Sequence, residues 1–479
     1  MVSLANNPHV IILGAGPAGL SAASQLVRRT KFQVTVLERN GWVGGNAASF
    51  DLAGVCVDYG SHRLHPSCDP SILADIRAML GDDLLDRPRH GRIRLRGRWI
   101  HFPLKPFDLA LRLPPGFTLG VAADMAGRVL PRSDDLGGSE TFASVMVKGL
   151  GRTICRDFYF PYARKLWGLD PGELSAVQAR RRVSGGSLSK IVRKIMSAMP
   201  GRKTQGSGRF FYPLSGFGGI SEAYHKDALD KSANVYLNAV VESLHIGEQG
   251  GFGVYYEREG RHHTLQADHV WSTIPITALA GMMQPSPPAE VIEAAGNIDY
   301  RAMLLVYLVL DTGKFSEYDA HYFPEGTIKI SRLSEPKNYS GVRQPEDRTV
   351  LCAELPCSPD SPEWSKSDEE LGYLVRDSLA MAGIPLDSNV LQVSVRRLRY
   401  AYPIYTRGYE DSFDKLDEWI GHIPHLLTFG RQGLFAHDNA HHALYMAYRA
   451  VDCFDEDGVF DREVWGRHRK IFETHVVED

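Results

Sequence analysis

The hydrophobic pattern of the chain changes period several times, and each change marks an expected element. Val10 to Leu13 form a short apolar run that predicts a buried strand, and the alanine-rich stretch SAASQLVRR after it predicts a helix. QVTVLE predicts a second strand that ends at Glu38. Further strands are expected in ADHVWSTIP, RAMLLVYLVL and LQVSVRRLRYAYPI, whereas EVWGRHRKIFETHVVED predicts an amphipathic helix with a charged tail. The chain therefore starts as an α/β domain does.

One arginine-rich run follows the strand period. The stretch RHGRIRLRGRWIHFP (89 to 103) alternates arginine with apolar residues. Successive side chains of a strand point to opposite faces, so these cations share one face. That face is either solvated or supports an anionic ligand, and the pattern alone leaves both interpretations open.

The turn between the first strand and the first helix carries GAGPAG, with Gly14, Gly16 and Gly19. The first glycine permits the tight turn, the second lets a pyrophosphate approach the backbone, and the third packs helix on strand. The helix N-terminus then faces phosphate charge, and Glu38 can accept hydrogen bonds from a ribose diol. This arrangement predicts a dinucleotide site.

Length and composition narrow the class of protein. The chain has 479 residues, which is too long for one compact core, so two or three lobes are expected. A formal net charge of -3 gives no global attraction to nucleic acid or to an anionic membrane. The six cysteines form no CxxC pair, and no apolar stretch is long enough for a membrane span. We therefore expect a cytoplasmic protein with reduced thiols.

The stretch after Glu38 indicates which dinucleotide is bound. It reads RNGWVGGNAASF, and the glycine pair Gly44 and Gly45 resembles the flavin-binding signature of the amine oxidase and protoporphyrinogen oxidase superfamily. The resemblance implies FAD, with the glycine pair close to its diphosphate. It also implies an α/β fold, in which a Rossmann-like FAD-binding domain of the glutathione reductase type carries a helical insert and a mixed β-sheet substrate domain.

A narrower resemblance starts at residue 57. VDYGSHRLHPS is similar to the segment that runs beside the isoalloxazine ring in UDP-galactopyranose mutases, which implies that Gly60, His62 and His65 lie there. We expect the two histidines to pack on the ring rather than to carry protons. His62 is accordingly predicted both as a cofactor contact and as a member of the catalytic set.

Residues 158 to 168, FYFPYARKLWG, resemble the floor of the nucleotide-sugar pocket in those mutases. The resemblance implies that Tyr162 stacks on the base and that Phe158 and Trp167 also bind substrate. Base stacking of this kind is worth roughly 1–3 kcal/mol. The alternative is that these rings belong to the core, which explains Arg164 and Lys165 less well.

Two arginines are expected to clamp a diphosphate. Arg181 in QARRRV and Arg332 in TIKISRLSEPK occupy positions similar to the mutases' clamping arginines, and Tyr402 in YAYPIY matches a tyrosine that touches the same group. A guanidinium offers phosphate a planar fork of donors. Each arginine alone would more often form a surface salt bridge, so the pair carries the prediction.

Near the end of the chain, Gly430 and Arg431 precede the start of a helix that lies under the flavin pyrimidine edge in this superfamily. The chain departs from the mutases at His437, where they have a tyrosine, and at Asn439, where they have a carboxylate. These changes leave the identity of the sugar open. The resemblance gives one set of expected cofactor-binding residues: Gly14, Gly16, Gly19, Glu38, Gly44, Gly45, Gly60, His62, Val240, Gly430, Arg431, Asn439 and Ala440.

The same segment contains several potential metal ligands. His437, Asp438, His441 and His442 are close in sequence. His441 and His442 are adjacent, however, and would point to different sides of one helix. No metal site is therefore predicted.

The superfamily resemblance also implies a domain order. The FAD-binding domain is expected to be discontinuous, with a mostly helical insert and a strand-rich substrate domain between its parts. The expected ranges are 1–75, 208–275 and 425–455 for the FAD-binding domain, 76–205 for the helical insert, 276–424 for the substrate domain and 456–479 for a C-terminal helix and tail.

The mutase resemblance implies a flavoenzyme that exchanges the pyranose and furanose forms of a nucleoside-diphosphate hexose through a covalent adduct at N5 of reduced flavin. NADH or NADPH is the expected reductant, and a homodimer is an open possibility. The competing interpretation is an oxidoreductase of the protoporphyrinogen oxidase or amine oxidase type, which transfers hydride from its substrate to the flavin. A flavin-binding protein without catalysis is a third interpretation, supported by His437 and Asn439.

Overall fold

The computed structural model describes residues 7–104, 108, 112–127, 140–182, 208–248, 250–455 and 459–477. Its first sheet is parallel throughout and has the strand order β20-β13-β1-β2-β9. The strands are β1 (His9–Leu13), β2 (Gln33–Leu37), β9 (Asn234–Tyr236), β13 (His269–Ser272) and β20 (Leu426–Thr428). β1 is buried from Val10 onward, as a continuous apolar run in the middle of a parallel sheet requires.

Three helices pack together beside this sheet. α1 starts at a glycine and a proline, and its alanines let neighbouring backbones approach closely. The helices are α1 (Pro17–Arg29), α8 (Gly219–Asp230) and α15 (Ala440–Val451). Asn439 caps the N-terminus of α15, and its side chain bonds to the backbone one turn later. The C-terminal ends of β1, β2 and β13 are left uncovered by these helices, where a ligand can reach them.

The second large sheet is mixed and has the order β19-β15-β18-β17-β16-β6-β7. Its strands are β6 (Gly91–Leu95), β7 (Arg98–Phe102), β15 (Tyr300–Leu310), β16 (Ala320–Tyr322), β17 (Arg332–Ser334), β18 (Thr349–Cys357) and β19 (Val390–Pro403). β6 and β7 lie within the range 76–205 that was predicted as a mostly helical insert, at the stretch where the sequence shows the strand period. The strand period of the arginine run is confirmed. Arg94 on that face pairs with Glu325 rather than pointing into solvent.

Smaller sheets and short helices complete the described chain. One sheet has the order β12-β11-β10-β14, and two further antiparallel pairs are β3 with β4 and β5 with β8. These strands are β3 (Ser49–Leu52), β4 (Val55–Asp58), β5 (Leu84–Pro88), β8 (Arg209–Pro213), β10 (Val240–Ile246), β11 (Phe252–Arg258), β12 (Arg261–Ala267) and β14 (Met283–Gln284).

The remaining helices, in chain order, are α2 (Pro70–Leu80), α3 (Pro115–Ala126), α4 (Phe142–Leu150), α5 (Arg152–Ile154), α6 (Phe160–Trp167), α7 (Ala176–Arg182), α9 (Ile276–Met282), α10 (Ala289–Gly296), α11 (Pro336–Ser340), α12 (Asp368–Met381), α13 (Tyr409–Gly421), α14 (Gly430–Gly433) and α16 (Arg462–Phe472). A single π-helical turn, Cys155–Tyr159, leads into α6. Among the described residues, none of the helices has the length and apolar character needed to cross a membrane.

The strands of the parallel sheet come from all three ranges assigned to the discontinuous domain. The domain bounds themselves stay a prediction. The later part of the predicted helical insert, from residue 183, lies outside the described residues.

Candidate active site

A cavity of about 630 Å³ is lined by residues from both large sheets. On one side it is lined by residues that follow the C-terminal ends of β1, β2 and β13, where open α/β sheets bind their ligands. We call this side the glycine end, after Gly14 and Gly16. The other side holds Arg332, His437 and three tyrosines, and we call it the tyrosine end. The tyrosines are Tyr162, Tyr322 and Tyr402.

The glycines of the fingerprint have different roles at the glycine end. A Cβ at Gly16 would meet no protein atom within 4 Å, and Gly16 lines the cavity, so its missing side chain leaves space for a ligand. A Cβ at Gly19 would overlap the carbonyl oxygen of Gly14, so Gly19 allows α1 to pack against the turn. This division agrees with the roles expected from the sequence.

Glu38 follows β2 and is almost fully buried, with its carboxylate at the cavity wall. Its Oε2 accepts a hydrogen bond from the backbone N–H of Ala15 at 2.9 Å, and Oε1 accepts one from that of Asn40 at 2.9 Å. Oε1 also accepts from Asn40 Nδ2 at 2.6 Å, which uses its second lone pair, whereas Oε2 keeps a lone pair that can accept from a ribose diol. Val240 lines the same part of the cavity.

A bulge in β19 forms part of the wall between the two ends. The pairing of β15 with β19 shifts register beside Tyr400 and Ala401, which frees two backbone carbonyls of β19. Tyr400 O accepts from the side chains of Asn46 and Gln432, at 2.9 and 2.7 Å. Ala401 O accepts from Arg431 Nη2 at 2.7 Å. The bulge thereby ties the predicted flavin-side residue Arg431 to the wall.

His62 is buried at the cavity wall and stacks on Phe217, with ring centroids 5.3 Å apart. Its Nε2 lies 2.9 Å from the carbonyl oxygen of Tyr59. A carbonyl only accepts hydrogen bonds, so Nε2 carries the proton. Burial lowers the pKa of His62 despite the nearby Asp58 carboxylate, and burial also raises the pKa of Asp58. The ring is therefore neutral at pH 7, and its expected packing on the flavin stays a prediction.

Arg332 at the tyrosine end is paired with a carboxylate that the sequence analysis missed. Its Nη2 and Nε lie 2.7 and 2.9 Å from Glu354 Oε1, which also accepts from the backbone N–H of Ser61 at 2.9 Å. Burial would lower the pKa of Arg332, but Glu354 and the nearby tyrosines outweigh it and raise the pKa well above its ordinary value. The available signal was a lone glutamate in the apolar strand TVLCAELPC, because a buried carboxylate needs a partner.

His437 lies at the tyrosine end and is held from several sides. Gln178 Nε2 lies 3.1 Å from His437 Nδ1, and Tyr405 Oη accepts from the His437 backbone N–H at 2.9 Å. The rings of Tyr402 and Trp167 lie 5.1 and 6.3 Å from the imidazole. Gln178 and Tyr405 were not predicted, since nothing in their sequence context distinguishes them from ordinary core residues.

Arg181 does not line the cavity, in contrast to the expectation that it clamps a diphosphate. Its Nη1 lies 3.0 Å from Asp438 Oδ1 and 3.3 Å from the backbone oxygen of Phe472. Burial raises the pKa of Asp438, but the His475 hydrogen bond and the nearby cations outweigh it, so the net pKa is lowered. Asp438 is thus an anion, and it holds the Arg181 guanidinium behind the cavity wall.

The rings of FYFPYARKLWG divide between the cavity and the core. Tyr162 lines the cavity. Phe158 packs on Tyr159 with ring centroids 4.8 Å apart, and Trp167 packs edge-on against Phe142 at 5.6 Å. Phe158 and Trp167 do not line the cavity, so the core interpretation holds for these two and the binding interpretation remains for Tyr162.

The two cations of that segment serve the protein rather than a ligand. Lys165 Nζ donates to the backbone carbonyls of Glu325 and Ile330, at 2.8 and 3.1 Å, and burial lowers its pKa to about 7. Arg164 forms an exposed ion pair with Asp170 at 2.7 Å. The argument that these cations favour a binding surface was therefore wrong.

A cluster of potential metal ligands occurs among the described residues, at Asp438, His442 and His475, whose ligand atoms lie within 4.8 Å of one another. The rings of His442 and His475 are stacked 4.2 Å apart at 17°. Lone pairs of near-parallel rings do not converge on one ion, and Asp438 already pairs with Arg181. The arrangement is that of a carboxylate shared among Arg181, His442 and His475. His475 comes from the far C-terminus, which sequence spacing did not reveal.

Within the described part of the chain, eight arginines and three carboxylates line the cavity. The excess of positive charge favours an anionic ligand. The arginines are Arg39, Arg63, Arg89, Arg332, Arg396, Arg397, Arg399 and Arg431. The predicted site residues that line the cavity are Gly14, Gly16, Glu38, Gly45, His62, Val240, Tyr162, Arg332, Tyr402, Arg431, His437, Asn439 and Ala440; those that do not are Gly19, Gly44, Gly60, Gly430, Phe158, Trp167 and Arg181.

Sequence comparison connects this site to known proteins. A model of the flavin-containing amine oxidoreductase family matches residues 17–423. A protein of Mycobacterium tuberculosis, AofH, which bears the name of a flavin-containing monoamine oxidase, is 26% identical over 260 residues, covering 51% of this chain and 52% of that protein. Polyamine oxidase 3 of Oryza sativa subsp. japonica is 37% identical over 76 residues, or 16% of each chain. The chain thus matches about half or less of these relatives' length.

Solved structures show the same fold. Reduced UDP-galactopyranose mutase has a TM-score of 0.77 at 19% identity, with 93% of both chains covered. Putrescine oxidase bound to putrescine has a TM-score of 0.65 at 16% identity, with 93% of this chain and 98% of that chain covered. The predicted α/β fold with an FAD-binding domain and mixed sheet is confirmed.

Proposed function

The chain belongs to the flavin-containing amine oxidoreductase family, and from this premise we propose that it is an FAD-dependent nucleotide-sugar mutase that interconverts the pyranose and furanose forms of a nucleoside-diphosphate hexose. The family makes the chain a flavoenzyme with FAD as its cofactor. The mutase activity is the finer step, and it rests on the chemistry of the tyrosine end.

The glycine end fits FAD. Gly16 offers open space beside the N-terminus of α1, where backbone N–H groups favour a pyrophosphate, and Glu38 keeps acceptor capacity for a ribose. Bound and reduced, FAD would supply a nucleophile for the anomeric carbon of the sugar. Asn439 and α15 present a second helix N-terminus to the cavity, which favours negative charge on the flavin pyrimidine.

The observation that carries the proposal is the cationic lining of the cavity. A protonated amine such as a polyamine would be repelled by eight arginines offset by three carboxylates, whereas a diphosphate would be attracted. FAD accounts for one diphosphate at the glycine end. Arg332 lies at the other end among Tyr162, Tyr322 and Tyr402, where a second diphosphate and a planar base would find partners.

The chain's own groups would then have separate tasks. Glu354 holds Arg332 by Nε and Nη2, which fixes the direction of the guanidinium before a ligand arrives. Arg332 would neutralise the diphosphate as it leaves the anomeric carbon and returns. Tyr162 would stack on the base, and His437 would donate a hydrogen bond to phosphate. The isomerisation gains and loses no atoms, so no side chain has to act as an oxidant.

The second candidate function is hydride transfer from a substrate to the flavin. The sequence relatives favour it, since two of them bear oxidase names. The two candidates differ in the state of flavin that reacts: the mutase needs it reduced, whereas the oxidase consumes the oxidised form.

The test uses the purified flavoprotein in both states. We would incubate it anaerobically, with and without dithionite, with UDP-, GDP- and dTDP-hexopyranoses and separate the products by chromatography. A furanose isomer formed only by the reduced enzyme supports the mutase and names the donor. No isomer from any donor, together with bleaching of the oxidised flavin by an amine, would move the assignment to the oxidase.

The remaining expectations are proposals that follow from this one. The substrate partner would be a nucleoside-diphosphate sugar, and NADH or NADPH would reduce the flavin. The changes at His437 and Asn439 leave open which sugar is accepted. A homodimer is compatible with the chain and would be tested by sedimentation of the purified protein.

A further inference from the structure

The C-terminal residues 473–477, which we call the C-terminal strap, extend from a firmly docked helix. Arg469 on α16 forms a two-pronged ion pair with Asp417, at 2.8 and 3.2 Å. Trp465 and Phe472 on the same helix are buried in the core beside the parallel sheet. The strap therefore starts from a fixed point, and its path is set by its own contacts.

The strap makes three described contacts behind the cavity wall. His475 Nδ1 lies 3.2 Å from Asp438 Oδ2. The His475 ring stacks on His442 with centroids 4.2 Å apart. The backbone N–H of Val477 donates to the carbonyl oxygen of Arg181 at 2.8 Å. A side-chain hydrogen bond, ring stacking and a backbone hydrogen bond thus anchor the strap along its length.

Two hydrogen bonds of Arg181 satisfy carbonyl groups near the ends of α7 and α16. The last carbonyls of a helix lack intrahelical partners. Val477 provides one for Arg181 in the last turn of α7, and Arg181 Nη1 provides one for Phe472, the last residue of α16. Arg181 therefore bonds to the strap through its carbonyl oxygen and directly to the end of α16 through its guanidinium, and it belongs to these contacts rather than to the cavity.

The strap also reaches the cavity itself. Val477 lines it together with Asp438, whereas Val476, also half-buried, does not. Arg181, in contrast, does not line the cavity and pairs with Asp438.

We propose that the C-terminal strap is a specificity-determining wall of the active-site cavity: Val477 limits the space beside Asp438, and the His475–Asp438 contact holds Val477 in place. The wall acts on whatever molecule approaches the flavin from this side. The inference therefore goes beyond the mutase proposal and does not depend on it.

The test uses sulfite, a small anion that adds to N5 of oxidised flavin and bleaches its visible absorption. The matched pair is Val477→Trp and Val476→Trp, since the two valines are neighbours and only the first lines the cavity. We expect Val477→Trp to slow sulfite addition about tenfold and Val477→Gly to speed it severalfold, as changes at an active-site wall do. Val476→Trp should stay within about twofold of the wild type.

A second measurement tests the anchoring without using flavin chemistry. His475→Ala should increase hydrogen exchange of the α7 peptide, residues 176–182, because the Val477 cap is loosened, while exchange in residues 462–472 stays unchanged. Equal rates of sulfite addition in both tryptophan variants, at wild-type flavin content, would contradict the proposal that Val477 forms a wall of the cavity. Unchanged exchange in α7 would overturn the anchoring. If Val477→Trp fails to retain FAD, the sulfite-addition rates of Val477→Gly and Val476→Gly are compared instead. A faster rate in Val477→Gly supports the wall, and equal rates overturn it.

Discussion

The glycine end and the tyrosine end of the cavity are built in different ways. At the glycine end the ligand surface is mostly backbone, formed by a turn, a helix start and the buried carboxylate of Glu38. At the tyrosine end it is made of long side chains from distant segments, and the cation there, Arg332, is already paired with Glu354. Backbone surfaces follow from local sequence, whereas long side chains choose among partners that only the fold brings near.

The largest expected effect is the loss of FAD binding when only the glycine end is changed. A Cβ at Gly16 would meet no protein atom within 4 Å, so Gly16→Val should fold normally but fill the space for the pyrophosphate. We expect FAD affinity to fall by at least about 100-fold. The ratio of flavin to protein absorbance measures this, and Gly281→Val, at an exposed glycine in equally open space, is the control. Full flavin content in Gly16→Val would contradict the assignment of this end.

The second effect breaks the tyrosine end. Arg332→Met removes the guanidinium that faces Tyr322 and leaves FAD contacts at Gly16 and Glu38 in place. UDP affinity should fall about 100-fold, because charge-assisted hydrogen bonds to a diphosphate contribute about 1.5–3 kcal/mol each. Calorimetric titration of the holoprotein measures it. The single variant also leaves the Glu354 carboxylate unpaired, and the double variant Arg332→Met/Glu354→Gln controls for this. It should bind UDP as weakly as Arg332→Met but unfold at a higher temperature than Arg332→Met.

The third effect sharpens the comparison between the two predicted clamping arginines. Arg181 pairs with the fully buried Asp438 outside the cavity, so Arg181→Met should cost about 3–5 kcal/mol of unfolding free energy while UDP affinity changes little. Urea unfolding measures the loss. Adding Asp438→Asn, which removes the unpaired charge, should restore much of it. If Arg181→Met instead loses much UDP affinity and keeps wild-type stability, Arg181 binds the ligand after all.

The smallest effect concerns pH and the segment that carries Tyr162. The folded pKa of Lys165 is lowered to about 7 by burial. The unfolded value is about 10.4, so between these values the unfolded chain holds more protons and stability rises with pH. The urea midpoint of the wild type should be higher at pH 9 than at pH 7, and the increase should be smaller in Lys165→Met. An equal slope in both proteins would show that Lys165 does not titrate there.

The sequence predicted the glycine end well, because glycine roles and strand–turn–helix order are local. It also placed Tyr162, Arg332, Tyr402 and His437 at one cavity, through motif resemblance. It placed Arg181 at the ligand, since spacing gives the position of an arginine but not the carboxylate it will find.

Other misses have the same physical origin. The strand period of residues 89–103 was visible in the sequence, but the pairing of β6 with β16 was not, because it joins segments far apart in the chain. His475 and Val477 had no expected role, since their partners Asp438 and Arg181 are brought near only by the docking of α16. In each case a tertiary partner decided the outcome.

The most direct test of the central claim, that the tyrosine end selects an anionic nucleotide, is calorimetric titration of the purified holoprotein with UDP and, separately, with putrescine. The account predicts saturable UDP binding that is weakened by added salt and by Arg332→Met, with no measurable putrescine binding. Tight putrescine binding with no UDP binding would contradict it and identify an amine site.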